Sequence, residues 1–249
     1  MRGGGAPENN APSRVLGAFT LAETLITLGI IGIVAAMTLP AVIDKSQKYI
    51  LKQQFKKSYS VLSQALLKAE ADLGYSPQCH YGAGKSVSST DGYAGGNTIV
   101  ECAVLHDAMM KNLSVIQKCD NHSFTKNCIP KYVGFEKVLM NNDQNLSEDD
   151  AKEAIKKFSG WSTNNILNNS PAYVLKDGTI IIAYYSAPFP YNFAVDINGK
   201  KGPNKWGYDL FPFITIANSK TNLILMGYGA YPFEKGGINV VDMLKQMHK

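Results

Sequence analysis

The residue with the most demanding chemistry in this sequence is Glu23. It is the single charge in the run FTLAETLITLGIIGIVAAMTLPAV, from Phe19 to Val42. A carboxylate at the centre of a membrane helix costs about 2.5–3.5 kcal/mol on insertion scales. Such a group needs a cationic partner, and an α-amine freed at the head of the run is a natural one. A pair of this kind works as a register device. One apolar helix slides along another with little change in energy, and one buried ion pair makes a single stagger preferable. The bland alternative is a carboxylate near the membrane surface that reaches water.

Two further groups of residues carry ligand chemistry. Between Asp196 and Asp209 lies a Gly-rich loop with Asn198 and Asn204 inside it. Oxygen side chains of this kind suit calcium, with Asp196, Asn198 and Asp209 as the ligands. The spacing is not that of an EF-hand, Lys200 and Lys201 intrude, and hairpin turns use the same residue types. The cysteines are Cys79, Cys102, Cys119 and Cys128, with His80, His106 and His122 close by in sequence. These allow a zinc reading, but an even number of cysteines in an exported chain favours disulfides. Cys119–Cys128 closes a short irregular loop and is the preferred pair, which leaves Cys79–Cys102. There is no HExxH, no GxSxG and no phosphate-binding glycine loop followed by Lys. The expectation is therefore a chain that is not an enzyme and has no cofactor beyond a possible calcium ion.

The segments that position Glu23 come first in the chain. Residues 1–18 are rich in Gly, Pro and Asn, with Arg2 and Arg14 as their basic residues. The apolar run that follows matches the roughly 20 residues that cross a ~30 Å hydrocarbon core. The small pair Gly17-Ala18 stands before this run, whereas a secretory signal has its cleavage site after the apolar stretch. Cleavage at Gly17-Ala18 removes the polar leader and leaves the apolar helix at a new N-terminus. Gly29, Gly32, Ala35 and Ala36 recur at steps that let helices approach closely. Pro40 removes a backbone donor, so the anchor either bends there or ends there.

The stretch Leu16-Gly17-Ala18-Phe19-Thr20-Leu21-Ala22-Glu23-Thr24-Leu25-Ile26 resembles the prepilin processing site of type IV pilins and type II secretion pseudopilins. The resemblance covers about the first 55 residues, with its specific motif in about ten of them. It implies cleavage between Ala18 and Phe19, N-methylation of Phe19, and an assembly role for Glu23 through pairing with the N-terminal amine of a neighbouring subunit. Pro40 stands where the family often has a helix-kinking proline. The family usually has Gly directly before the cut, where this chain has Ala18. The partners implied are a prepilin peptidase, other copies of the chain and related pilins, inner-membrane assembly machinery, and membrane lipid before assembly.

Beyond Pro40 the pattern becomes amphipathic. Leu51, Phe55, Tyr59, Leu62, Leu66, Ala69 and Leu73 recur at steps of three and four, with Lys48, Lys52, Lys56, Lys57 and Lys68 between them. This predicts one long helix over about 19–73, stopped by Gly74 and Pro77. Residues 74–98 read as a loop and 99–113 as a second helix. Residues 114–134 read as irregular, and a further helix starts at Ser147 and runs to about Phe158. In the C-terminal third, 172–176 and 179–185 flank Asp177-Gly178 as a hairpin. Further strands fit 192–197, 211–217 and 222–228. The expectation is an α+β fold of pilin type: a long N-terminal helix laid on an antiparallel sheet of about four strands. Its parts are a leader 1–18, a transmembrane or filament-core helix 19–43 and a globular domain 44–249.

The chain has 25 Lys+Arg against 20 Asp+Glu, a net charge of +5, without a concentrated basic stripe, so no nucleic acid partner is expected. The function expected is a filament subunit, a pilus or secretion pseudopilus component. It starts as a single-pass inner-membrane protein and ends in an extracytoplasmic filament. The alternatives are a minor tip pilin that binds a surface through Trp161, Tyr191 and Trp206, and a signal-anchored extracytoplasmic enzyme.

Overall fold

The computed structural model describes residues 20–81, 97–185, 187, 189–218 and 222–247, with the backbone alone at 97–100. It contains two compact units, Met1–Gln47 and Lys48–Lys249. The first helix, α1, spans Leu21–Leu73 over 53 residues and contains Pro40, so the helix does not end at the proline. It stops at Leu73 because Gly74 takes a positive φ of 75°, the left-handed conformation that glycine adopts at little cost.

In the first unit, α1 is apolar and exposed on all sides. It is long and apolar enough to cross a membrane. Its threonine hydroxyls are satisfied within the helix: Thr24 Oγ1 donates to Leu21 O at 2.8 Å, Thr27 Oγ1 to Glu23 O at 2.9 Å and Thr38 Oγ1 to Val34 O at 2.9 Å. That local bonding is what lets threonine sit in an apolar environment without an orphaned donor.

The second unit is built on a six-stranded sheet in the order β1-β2-β3-β4-β5-β6, with every neighbouring pair antiparallel. The strands are β1 (Val115–Cys119), β2 (Ala172–Leu175), β3 (Ile180–Ala183), β4 (Asn192–Asp196), β5 (Leu210–Ala217) and β6 (Leu223–Gly227). The helices are α2 (Asn97–Asn112), α3 (Phe135–Asn142), α4 (Glu148–Ala154) and α5 (Val240–Met247). The expected count of about four strands is too low. The strand that pattern reading missed is β1, in a stretch read as irregular. Its Ile116, Gln117 and Lys118 are exposed, so it has no apolar alternation to betray it.

Side chains alternate across the sheet with period two, and both faces are covered. On one face Phe55, Leu62 and Leu66 of α1, Leu105 and Met109 of α2 and Met243 of α5 pack on Ile181, Phe193, Phe211, Phe213 and Leu225. On the other, Phe135 and Val138 of α3 pack with Ile155, Trp161, Ile166 and Trp206 on Ala172, Ile180, Ile182 and Ala194. Burial on both faces explains why β3 reads Ile-Ile-Ile-Ala with no polar position. The apolar stripe of α1 therefore meets the sheet as its spacing predicted. Phe55 lies edge-on to Phe211 with ring centroids 4.7 Å apart.

The hairpin between β2 and β3 differs in detail from the two-residue expectation. Leu175 N donates to Thr179 O and Gly178 N to Leu175 O, so Lys176, Asp177 and Gly178 all lie in the loop. Gly178 supplies the positive φ of 90° that such a loop requires. The helix expected from Ser147 to Phe158 is shorter. Ser147 caps α4 as expected, accepting from Asp150 N, and a 3-10 turn follows over Lys156–Trp161. β6 lies at a sheet edge and is tied to α1 there: Tyr59 Oη donates to Leu225 O at 3.1 Å, and Leu223 N donates to Glu70 Oε1 at 3.0 Å.

Candidate functional site

The expected cleavage and methylation positions, Gly17, Ala18 and Phe19, lie outside the described residues. The chemistry next to them is described. Thr20 and Glu23 form a reciprocal cap at the head of α1. Thr20 N donates to Glu23 Oε2 at 3.0 Å and Thr20 Oγ1 donates to the same oxygen at 2.9 Å. In return Glu23 N donates to Thr20 Oγ1 at 3.2 Å. This is a capping box, and its Thr-x-x-Glu spacing was readable in the sequence although the assembly reading of Glu23 overshadowed it. The arrangement satisfies two of the backbone donors that a helix start leaves open. It also holds the carboxylate at the positive end of the helix dipole.

Glu23 is thus aimed at the N-terminal end of its own helix, and among the described residues it is exposed. Around it the helix surface is free. A Cβ placed on Gly29 or Gly32 meets nothing within 4 Å. Exposed Leu25, Ile26, Ile30, Ile33 and Val34 surround these glycines. Such a surface, apolar with small residues interspersed, suits lipid or other apolar helices.

The cysteines are paired as Cys79–Cys102 and Cys119–Cys128, so no thiolate is left to hold zinc. His80 and His106 have other partners: His80 Nδ1 lies 3.1 Å from Tyr81 O, His106 Nε2 lies 3.2 Å from Tyr173 Oη and His106 Nδ1 lies 3.1 Å from Asp107 Oδ1. Among the described residues no group of three or more His, Cys, Asp or Glu converges on a common point.

The loop from Asp196 to Asp209 is brought together, and its carboxylates face hydrogen-bond donors. Asp196 Oδ1 accepts from Gly199 N at 2.7 Å and Asn198 N at 3.1 Å, and its Oδ2 accepts from Tyr132 Oη at 2.6 Å. Asp209 accepts from Lys205 N at 2.7 Å and Asn204 N at 2.8 Å. Asn198 Nδ2 donates to Gly202 O at 2.7 Å. This is the turn chemistry that competed with the calcium reading. Both carboxylates are fully buried. Burial, then the neighbouring Asp209 charge, pushes the Asp196 carboxyl up to about 7. Burial likewise raises Asp209, against the pull of the amides of Lys205 and Asn204.

The aromatics considered for surface binding are core residues. Trp161 and Trp206 are buried and pack against each other with centroids 5.5 Å apart. Trp206 Nε1 donates to Val133 O at 2.8 Å. Tyr191 is also buried. A tip-binding role through these three side chains is corrected by their burial: a ligand cannot reach them. Comparison of the chain with family models, with curated proteins and with solved structures finds no match.

Proposed function

We propose that this chain is a prepilin of the type IV pilin and type II secretion pseudopilin class, a structural filament subunit anchored through α1. The observation that carries the reading is the sequence Phe19-Thr20-Leu21-Ala22-Glu23 at the head of an exposed apolar helix. Its support from elsewhere in the chain is a helix that continues as an apolar stripe laid on an antiparallel sheet, together with two disulfides. Intramembrane charge marks function by default, and Glu23 sits where a neighbour's freed amine would pair with it.

On this reading a prepilin peptidase removes residues 1–18 and Phe19 becomes the methylated N-terminus. The apolar helices then leave the lipid and bundle with one another, since association releases no apolar surface to water. The pairing of Glu23 selects one stagger among the many that apolar helices allow. The capping box holds the carboxylate in place before a partner arrives. The buried loop of Asp196 and Asp209 then serves to fix the link between β4 and β5.

The test is co-expression with a prepilin peptidase, followed by intact mass and N-terminal sequencing of the membrane fraction. The expected product begins with methylated Phe19 and lacks residues 1–18. A chain that keeps residues 1–18 in the presence of active peptidase refutes the reading and leaves α1 as a plain signal anchor.

A further inference from the structure

We propose that Asn145 is the acceptor of an N-linked glycan, added on the extracytoplasmic side of the membrane. The proposal rests on the exported reading above. In exported chains the pattern Asn-x-Ser, with x other than Pro, marks an N-glycan acceptor. It occurs here at Asn112, Asn121, Asn145 and Asn168.

A glycosyl transferase must reach both the carboxamide and the hydroxyl two places on, and the structure separates the candidates on that ground. Asn112 is held at the end of α2, its Nδ2 donating to Ala108 O at 3.1 Å and Asp72 Oδ2 at 3.2 Å. Asn121 and Asn168 lead to Ser123 and Ser170, which are both fully buried. Ser123 Oγ is further committed to Ser170 O at 2.9 Å. Their carboxamides are also engaged, Asn121 Oδ1 by Lys126 Nζ and Asn168 Nδ2 by Asn164 Oδ1. Asn145 differs in its uncommitted carboxamide and in the exposure of its hydroxyl partner. It is exposed, as is Ser147. Its carboxamide makes no hydrogen bond among the described residues, and only its backbone N is used, donating to Asp143 Oδ1 at 3.0 Å.

That bond folds an exposed turn between α3 and α4. Its acceptor, Asp143, stands two places before the asparagine on the same exposed turn. Ser147 Oγ accepts from Asp150 N at 3.2 Å as the cap of α4 and donates to Asp150 Oδ2 at 2.5 Å, both on the exposed surface. Withdrawing it frays the first turn of a helix of 7 residues and leaves both sheet faces covered.

The co-reactant is an oligosaccharide carried on a lipid diphosphate. The Asn145 nitrogen attacks the anomeric carbon, so an N–C bond forms as the bond from that carbon to the diphosphate oxygen breaks. The amide proton passes to a base of the transferase and the lipid diphosphate leaves with the electron pair. No oxidant or reductant is required.

The test uses full-length protein purified from membranes of the cell that makes it, digested without reduction and read by mass spectrometry with electron-transfer fragmentation. The expected result is a sugar mass on Asn145 in most copies, absent in Asn145→Gln and Ser147→Ala and retained in Ser147→Thr. A bare Asn145 in protein whose Cys119 and Cys128 peptides are recovered still linked overturns this proposal and leaves export standing. A bare Asn145 with free thiols overturns both. Sugar on Asn112, Asn121 or Asn168 instead overturns the assignment.

Discussion

Asp196→Asn should stabilise the second unit near neutral pH and flatten its stability between about pH 5 and about pH 8. Asp196 is fully buried at the end of β4. Burial, and then the charge of Asp209, raises its carboxyl from 3.8 to about 7, against the pull of Tyr132 Oη and the amides of Asn198 and Gly199. Between about pH 4 and about pH 7 the folded chain therefore holds a proton that the unfolded chain has released, and stability falls as pH rises. The whole span is roughly three pH units at 1.36 kcal/mol each, so about 4 kcal/mol at most. Asparagine keeps the acceptor used by Asn198 N and Gly199 N, and Tyr132 Oη can turn to accept from its amide. Carboxylates whose values are lowered, among them Asp177 with Lys57, lose their contribution as pH falls below about 4, outside this window. The assay is urea unfolding of the full chain in detergent, followed by tryptophan fluorescence. It reports on this region because Trp161 and Trp206 both lie in the core that includes Tyr132. Wild-type midpoints that stay level or rise between about pH 5 and about pH 8 refute the reasoning, as does an equal slope in the variant.

Two more predictions follow from packing and cross-links. Phe55→Ala removes a fully buried ring wedged against Phe211 and Phe213. It should cost about 3–5 kcal/mol, read as a lower midpoint in the same urea assay with the membrane fraction of the protein unchanged. Replacing Cys79 and Cys102 by Ser should destabilise more than replacing Cys119 and Cys128. The closed loops span sequence separations of 23 and 9, and chain entropy gives about 3.4 and about 2.6 kcal/mol respectively. Equal midpoints to wild type in both double variants would contradict that account.

The long helix and its stripe were legible because periodicity is strong over many turns: Phe55, Leu62, Leu66 and Ala69 all reached the core. The strands of the C-terminal third were legible for a similar reason, their ends marked by Gly and Asn. β1 was not, because an edge strand with exposed Ile116 and Lys118 carries no alternation. α3 was also missed. Its eight residues, FEKVLMNN, include a buried Glu136 that weakens the apolar face, and its start at Gly134 has no side-chain cap. Of the candidate site, the disulfide pairs were legible from spacing. The Thr20–Glu23 capping box was present in the letters but was read only as an assembly charge. The aromatic character of Trp161 and Trp206 showed without their burial, because a side chain's depth depends on contacts distant in sequence. Trp206 meets Phe135 at 4.6 Å between centroids.

The tie between α1 and β6 has a consequence for how copies of this chain can polymerise wrongly. Unregulated growth by strand addition needs two open sheet edges, one to give and one to receive. Here β6 has its Leu225 carbonyl and Leu223 amide already taken by Tyr59 and Glu70, whereas β1 at the opposite edge is exposed. In the language of polymer chemistry the β6 edge is a partly capped end, with one carbonyl and one amide already committed, so strand addition is disfavoured there relative to β1.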